Sequence, residues 1–114
     1  MRQGEVRWYT FTPPDKRRPV LLLTRASAIS FLNSVTVAPI TTQIRDIPTE
    51  VLLTPEEDGV HEVCVVNLDN IQTVQKQRLG PLITTLSFRR MQDAQRALRF
   101  AVGMDEYLTP VFNR

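Results

Sequence analysis

The spacing of apolar residues changes at Ser87, and this change restricts the folds open to the chain. Before Ser87, apolar and β-branched residues form short runs separated by turn residues, which is typical of β-strands. After Ser87, apolar residues recur at steps of three and four, which indicates an amphipathic helix. Ser87 is a plausible N-cap for this helix and Gly103 a plausible terminator. The apolar helix positions are Met91, Ala94, Leu98, Ala101 and Val102.

The segments before Ser87 predict a series of short strands and turns. We expect strands over 5–11, 19–24, 34–40, 49–54, 62–68, 71–74 and 82–86. Residues 25–30 are either one helical turn or a loop, and 55–59 are predicted to form a turn. Pro39 should mark an edge, a bulge or the end of its strand, because proline donates no ladder hydrogen bond.

Many short strands followed by one helix predict a mainly β (α+β) fold. The expected form is a small, strongly bent sheet or barrel that is capped by the C-terminal amphipathic helix. A chain of 114 residues fits one domain. We expect this domain over residues 1–103, followed by a tail over 104–114.

Composition excludes several kinds of site. With one cysteine, Cys64, and one histidine, His61, the chain can form no intramolecular disulfide and has too few ligands for a typical zinc site. Cys64 lies in an apolar segment and is interpreted as a buried, inert thiol, and His61 as an exposed polar residue. No run is long enough to span a membrane, and the N-terminus has no signal-peptide core. We therefore expect a cytoplasmic protein without a metal or cofactor.

The densest positive charge lies directly against the most hydrophobic run. Lys16, Arg17 and Arg18 precede Pro19 and an apolar stretch, although Lys and Arg are rarely buried unless they are paired. One interpretation is solvated charge that keeps the strand soluble. The other is that Arg18 acts at the strand mouth together with Thr41, because an arginine fork and a hydroxyl make a good phosphate site.

The order of several short motifs resembles the MazF/PemK family of toxins from type II toxin–antitoxin systems. "RPV" opens the second predicted strand, "VAPIT" closes the third, "IPTEV" opens the fourth, and "LDNIQTV" and "RLG" follow. The resemblance covers about residues 3–103, and the wording is most similar to mycobacterial members. It implies an SH3-like, bent β-barrel of the CcdB/PemK type.

This resemblance also implies an activity and partners. Family members are metal-independent endoribonucleases that cut single-stranded RNA within a short sequence, leaving a 2′,3′-cyclic phosphate and a 5′-hydroxyl. The target is mRNA, or exposed loops of rRNA or tRNA. The resemblance implies a homodimer, a MazE-like cognate antitoxin, and operator DNA that is bound mainly through the antitoxin.

The family's functional positions map onto named residues of this chain. The arginine before the proline of "RPV" is Arg18, and the threonine after "API" is Thr41; both are expected to be catalytic. Asp69 matches an aspartate that contributes in some members, so a catalytic role and a structural role both remain open. Predicted RNA contacts are Lys16, Arg17, Thr24, Arg25, Thr42 and Asn67. For Thr24 and Arg25, a plain surface position at a strand end is the alternative.

The chain departs from the family pattern in its first loop, "TPPDKR", which is short. No histidine lies near Arg18 in the sequence, and Asp15 is the only acid of that loop. Asn67 and Gln72 replace arginines that some members carry. Two rival hypotheses follow: a CcdB-like gyrase poison without nuclease activity, or a member that only binds RNA. The pair of Arg18 and Thr41 discriminates, because RNA cleavage needs it and gyrase binding does not.

Overall fold

A computed structural model describes residues 1–12 and 16–108 of the chain. Pro13, Pro14 and Asp15, and the predicted tail from residue 109 onward, lie outside the described residues. Within the described ranges seven strands form one sheet. They are β1 (Glu5–Thr10), β2 (Arg17–Leu22), β3 (Ser34–Thr41), β4 (Glu50–Leu53), β5 (Cys64–Asn67), β6 (Gln72–Gln75) and β7 (Leu82–Thr85).

The sheet is antiparallel throughout and curls around β3. Its order is β4-β5-β3-β2-β1-β7, and β6 pairs with β3 as a branch. The first half of β3, from Ser34 to Val37, pairs with β6, whereas Ile40 and Thr41 pair with β5. Because β3 changes partners along its length, the sheet bends into a half-barrel. The predicted mainly β fold with a strongly bent sheet is confirmed.

Pro39 lies inside β3, at the point where the strand changes partner. On one side it is opposite Val20 of β2. On the other side the ladder passes from β6 to β5 around it, so the proline occupies a break in the hydrogen-bonding pattern. The expectation that Pro39 marks an edge, a bulge or a strand end is therefore wrong, because β3 is an inner strand that continues through Pro39 to Thr41.

Both faces of β2 and β3 are buried, which explains the continuous apolar run of β2. Leu21 and Ile40 belong to a core layer that includes Ala94 and Ala97 of the C-terminal helix. Val20 and Leu22 belong to a second layer on the opposite face, with Phe11, Ile29, Val35 and Val37. A strand that is covered on both sides needs no polar alternation, so β2 is a rigid element of the fold.

The helices are α1 (Ala26–Ile29), α2 (Pro55–Asp58), α3 (Phe88–Ala101) and α4 (Asp105–Leu108). The predicted C-terminal helix is confirmed as α3. Ser87 is its N-cap, since the Ser87 Oγ accepts a hydrogen bond from the Arg90 N–H at 3.1 Å. Gly103 follows it with a positive φ of 74°. The predicted turn over 55–59 is instead a short helix, because Thr54 caps it by accepting from the Glu57 N–H at 3.2 Å.

Gly59 ends α2 and directs the chain toward residues 60–63. Its φ is 74°, in the left-handed region that favours glycine. A Cβ at this position would lie 2.7 Å from the Thr84 Oγ1. Glycine is therefore required at this turn on two counts, backbone conformation and the close approach of β7.

Candidate active site

Arg18 and Thr41 are brought together by the pairing of β2 and β3. Val20 lies opposite Pro39, and Leu21 opposite Ala38. Continuing this register toward the strand ends places Arg18 opposite Thr41. Both residues line two adjoining cavities, with volumes of about 330 and 280 Å³. The structure thus places the two predicted catalytic residues side by side at the mouth of the half-barrel.

The larger cavity, which we call the tryptophan cavity, combines an apolar floor with a polar rim. Its floor is formed by Trp8, Pro19, Ile40, Val60, Cys64 and Ile83. Its rim is formed by Lys16, Arg17, Arg18, Thr41, Thr42, His61 and one acid, Glu62. An apolar, concave surface with a few convergent polar groups is the usual form of a ligand site. The three adjacent cations make this rim suited to an anionic ligand.

The smaller cavity, which we call the asparagine cavity, lies on the other side of Arg18 and Thr41. Asn67 and Asn70 line it together with Pro39, Gln43, Arg45 and Glu50. Amide groups offer both donors and acceptors. This cavity can therefore accept polar groups of a ligand whose phosphate lies between Arg18 and Thr41.

Arg17 and Arg18 are neighbours in β2, which pairs with β1, so their side chains lie on opposite faces of the sheet. Arg17 is opposite Thr10 and Arg18 is opposite Tyr9. The Arg17 guanidinium carbon lies 4.5 Å from the centre of the Trp8 ring, and that of Arg18 lies 5.8 Å from the centre of Phe11. Both distances fit cation–π contacts, which orient a guanidinium without neutralising it.

The cations at this mouth have no acidic partner among residues 1–12 and 16–108. The salt bridges of that part of the chain involve Arg7, Arg45, Arg90, Arg96 and Arg99, and none involves Lys16, Arg17 or Arg18. Arg18 is half-buried, whereas Lys16 and Arg17 are exposed. The charge at this mouth is therefore directed to solvent and to any anion that binds there.

The Thr41 hydroxyl is oriented by the backbone of the following loop. Its Oγ1 accepts a hydrogen bond from the Gln43 N–H at 3.2 Å. Because a threonine hydroxyl has one donor and two acceptor sites, this contact uses an acceptor site and leaves the O–H proton to donate. Thr41 is half-buried at the end of β3, so its hydroxyl is held by a rigid strand.

Asp69 is engaged in structural contacts. Its Oδ2 accepts a hydrogen bond from the Thr49 hydroxyl at 2.6 Å, and its N–H donates to the Asn67 Oδ1 at 2.9 Å. It is not among the described residues that line either cavity. Asn67, by contrast, both caps this turn and lines the asparagine cavity. Of the two roles left open for Asp69, these contacts favour the structural one.

The other predicted RNA contacts divide into two groups. Lys16, Arg17 and Thr42 line the tryptophan cavity beside Arg18. Thr24 and Arg25 follow the opposite end of β2, roughly 20 Å away at a strand rise of about 3.3 Å per residue. The Thr24 Oγ1 accepts a hydrogen bond from the Thr36 N–H at 2.8 Å. This bond extends the contact between β2 and β3 beyond the end of β2. The structure does not bring Thr24 and Arg25 to the Arg18–Thr41 site.

His61, which the sequence indicated only as an exposed polar residue, lies in the tryptophan cavity although no histidine is near Arg18 in the sequence. It comes from the segment between α2 and β5 and lines the same cavity as Arg18 and Thr41. Its ring centre lies 6.0 Å from that of Trp8, with the two planes tilted by 46°. Its distance from Arg18 along the chain concealed this shared cavity, because only the fold brings the two segments together.

Glu50 was also missed, and it shapes the loop that follows Thr41. Its side chain is only 3% exposed and forms a salt bridge with the Arg45 Nε at 3.2 Å. Its Oε1 accepts the N–H groups of Arg45 and Asp46 at 2.9 and 3.1 Å. Asp46 has a positive φ of 56°. One buried carboxylate thus fixes the wall of the asparagine cavity.

Cys64 is buried, as predicted. Burial raises the pKa of its thiol to about 11, and the negative charges of Glu62 and Asp58 add to the shift. Since the thiolate is the nucleophilic form, Cys64 is a neutral, apolar part of the cavity floor at physiological pH.

Two kinds of feature are absent from the described residues. No group of three His, Cys, Asp or Glu side chains within residues 1–12 and 16–108 is arranged to hold a metal ion. In the same part of the chain, no helix has the length and apolar character needed to cross a membrane.

Known proteins similar to this chain share one description. "Probable endoribonuclease MazF2" from Mycobacterium tuberculosis is 39% identical over 103 residues, covering 90% of this chain and 99% of the relative. "Endoribonuclease MazF3" from the same organism is 42% identical over 89 residues, covering 78% and 82%. "Endoribonuclease EndoA" from Bacillus subtilis is 32% identical over 92 residues, covering 79% of each chain.

Solved structures agree with these sequence relatives. "Mycobacterium tuberculosis toxin MazF-mt6" superposes with a TM-score of 0.78 at 35% identity, covering 87% of this chain and 96% of that one. A mycobacterial endoribonuclease in complex with its cognate antitoxin gives a TM-score of 0.80 at 27% identity, covering 91% and 96%. The family profile described as "PemK-like, MazF-like toxin of type II toxin-antitoxin system" matches residues 2–102. This chain therefore belongs to the PemK-like, MazF-like toxins of type II toxin–antitoxin systems.

Proposed function

We propose that this toxin is a metal-independent endoribonuclease that cuts single-stranded RNA by attack of the 2′-hydroxyl on the adjacent phosphate. The products would be a 2′,3′-cyclic phosphate and a 5′-hydroxyl. The observation that carries the proposal is the placement of Arg18 beside Thr41 at the joined ends of β2 and β3, on a cationic rim. Membership of a family whose relatives are named endoribonucleases supports the activity itself.

Arg18 has the properties needed to stabilise the transition state. The pentacovalent phosphorus carries extra negative charge on its equatorial oxygens, and fixed donors aimed at such charge contribute strongly to catalysis. A guanidinium offers a planar fork of donors to phosphate oxygens. With a reference pKa of about 12.5 or above, it is a poor base, so its role is charge stabilisation and donation.

Thr41 supplies a second donor on the other side of the scissile phosphate. The Gln43 N–H fixes the position of its oxygen, and its O–H proton can then point to a phosphate oxygen. The nucleophile is part of the substrate, so positioning accounts for much of the remaining rate. Asp69 is assigned to positioning the turn after β5 through Thr49 and Asn67.

The RNA backbone is proposed to cross the mouth of the half-barrel. Lys16, Arg17 and Thr42 would contact phosphates and ribose beside the scissile position, and Asn67 would contact the strand on the other side of Arg18. Thr24 and Arg25 stay outside this path because they follow the far end of β2. Single-stranded RNA fits, because sequence-specific proteins read unpaired bases that are splayed out. The toxin domain is proposed to span residues 1–103.

The partners of the toxin follow from the same family membership. We propose a cytoplasmic homodimer that is inhibited by a MazE-like antitoxin; one similar structure is an endoribonuclease in complex with its cognate antitoxin. Operator DNA would be bound mainly through the antitoxin. A gyrase poison on the same fold is the weaker hypothesis, because it has no use for the Arg18–Thr41 pair.

The test is cleavage of a long single-stranded RNA by the purified protein in EDTA, followed by sequencing of the new ends. We expect cuts at a short recurring sequence, with 5′ ends that polynucleotide kinase labels without prior phosphatase treatment. Arg18→Ala and Thr41→Val should each reduce the rate by roughly 100-fold or more, the usual cost of losing one such donor.

Two variants serve as matched controls. Arg89→Ala removes an exposed arginine from α3, and Thr73→Val removes an exposed hydroxyl from β6; both should cut RNA at the unchanged rate. Dependence on added divalent metal or 5′-phosphate ends would contradict the proposed chemistry. Intact RNA together with arrested gyrase would support the rival hypothesis instead.

A further inference from the structure

The tryptophan cavity contains a group of flat side chains that charge stabilisation does not use. Trp8 forms part of its floor, the Arg17 guanidinium lies 4.5 Å from the Trp8 ring centre, and His61 lies 6.0 Å from it. Arg17 and His61 are exposed, and Trp8 is half-buried. A cavity that only had to attract phosphate would need cations but not this set of π-systems.

We propose that the tryptophan cavity binds one unpaired nucleobase of the RNA, stacked on the Trp8–Arg17–His61 group, next to the scissile phosphate. RNA-binding proteins recognise unpaired bases by stacking them on aromatic rings and arginine planes. The position beside the cut follows from the rim, because Arg18 and Thr41 line the same cavity. This inference rests on the proposed function, since the cut site defines which nucleotide is bound.

The dimensions and chemistry of the cavity fit a single base. Its volume of about 330 Å³ is at the small end of the range for ligand sites, which leaves room for one nucleotide and not for a run of stacked bases. Ile40, Val60 and Cys64 supply an apolar floor that is buried in the fold. Thr42 and Glu62 at the rim offer hydrogen-bonding groups for the edge of a base.

His61 is the member of this group that is supplied by a separate segment. It follows α2 and Gly59, whereas Trp8 and Arg17 come from the paired strands β1 and β2. We infer that His61 helps to select the base next to the cut, because it closes one side of the cavity with an exposed ring.

The chain carries a built-in reporter for this test, because Trp8 is its single tryptophan. The experiment titrates the full-length protein with a pool of short RNAs that carry 2′-O-methyl groups throughout, which removes the nucleophile and prevents cleavage. Stacking of a base on the group should change Trp8 fluorescence in a saturable way. His61→Ala should raise the Kd for RNA by roughly fivefold or more, which is the lower end of the cost of losing a base–aromatic stack.

Conservative variants separate stacking from charge and from proton transfer. His61→Phe keeps a ring, so it should retain the fluorescence change, whereas Arg17→Lys keeps the charge but loses the plane and should weaken the change. On a randomised, cleavable RNA, His61→Ala should alter the base preference at one position flanking the cut. Gln95→Ala, on the exposed part of α3, is the control and should leave that preference unchanged.

The outcomes distinguish this inference from the nuclease proposal. Cleavage with no change in Trp8 fluorescence, and with an unaltered flanking preference in His61→Ala, would overturn the base site while the nuclease stands. If His61→Phe behaves like His61→Ala in both assays, stacking is overturned in favour of a polar role for His61. Saturable quenching by the 2′-O-methyl RNA, together with no cleavage of unmodified RNA of the same sequences, would support the base site and contradict the nuclease.

Discussion

Two groups of arginines in this molecule differ in how their charge is balanced. Arg90 of α3 is held by carboxylates, with its Nε 3.0 Å from Asp58 and its Nη1 3.2 Å from Asp93. Arg17 and Arg18 lie against Trp8 and Phe11, and they form no salt bridge within the described ranges 1–12 and 16–108. The hydrogen bond with Asp58 raises the pKa of Arg90, against the opposing effect of burial.

This difference indicates two different roles for the same side chain. The Arg90 cluster joins α3 to α2, which gives it a role in stability. The arginines at the mouth lie at the start of β2 against ring faces, and they form no salt bridge within the described residues. A group that is positioned without being neutralised is suited to bind a charged substrate.

The largest expected effect on stability comes from removing Arg90. Arg90→Ala leaves the Asp58 carboxylate, which is 3% exposed, without its arginine partner and with only the Thr54 N–H bonded to it. We expect a loss of about 2 to 3 kcal/mol in the free energy of unfolding, below the value for a fully buried pair because Arg90 itself stays 21% exposed. Denaturant titration measures this loss.

Arg96→Ala is the matched control for this prediction. Its salt bridge with Asp93 is on the surface, with Arg96 65% exposed, and it should contribute less than about 0.5 kcal/mol. Equal effects of the two substitutions would show that the Arg90 cluster has no special role.

The next largest effect on stability is expected at Gly59. This residue lies between Asp58, which pairs with Arg90, and His61, which lines the tryptophan cavity. Gly59→Ala places a Cβ 2.7 Å from the Thr84 Oγ1 on a backbone with φ 74°. We expect a loss of about 1 to 2 kcal/mol in unfolding free energy, together with displacement of His61 and a weaker Trp8 fluorescence response to RNA. An unchanged melting temperature would contradict the strain assigned to this turn.

The salt bridge between Arg7 and Glu5 should have a smaller effect on stability, and it gives a prediction for pH. Although burial raises the pKa of Glu5, the hydrogen bond and the positive charge of Arg7 outweigh burial and hold it below its usual value of 4.5. Stability from this pair is therefore present above that value and is lost as pH falls through the lower, folded-state pKa. Glu5→Gln should cost about 1 kcal/mol near neutral pH, and the difference from the wild type should shrink in acid. Thermal melts across pH measure this; a constant difference would contradict the shift.

The smallest effect is expected in the salt dependence of RNA binding. If Lys16, Arg17 and Arg18 each contact one phosphate, the plot of log K against log salt should have a slope of roughly −2 for single-stranded RNA. Arg17→Gln should reduce its magnitude by roughly 0.7. Arg96→Gln should leave it unchanged, and a slope near zero for the wild type would show that the cations at the mouth do not bind the backbone.

The sequence was sufficient to predict the elements that depend on local pattern. The change of period at Ser87 predicted α3 and its cap, and the buried run after Pro19 predicted a strand covered on both faces. Arg18 and Thr41 could be placed at strand ends, since each lies at the boundary of an apolar run. Their pairing depended on resemblance, because register is not visible in a single chain.

The remaining features depend on contacts between distant segments. β2 begins at Arg17, before the apolar run, because its backbone pairs with β1 there; this sends Arg17 and Arg18 to opposite faces. His61 and Glu50 carry no local pattern that links them to Arg18. Thr24 and Arg25 resemble Arg18 in being polar residues next to a strand end. They follow the C-terminal end of β2, however, whereas Arg18 lies at its N-terminal end beside Thr41.

The most direct test of the contrast between the two regions measures unfolding free energy and RNA cleavage rate for Arg18→Gln and Arg90→Ala in parallel. We predict that Arg18→Gln lowers the cleavage rate roughly 100-fold or more while changing stability by less than about 1 kcal/mol, the scale of one cation–π contact that is open to solvent on one side. Arg90→Ala should do the reverse, losing stability while its folded fraction cuts RNA at the normal rate. An Arg18→Gln variant that is as destabilised as Arg90→Ala and still cleaves RNA normally when folded would contradict the account.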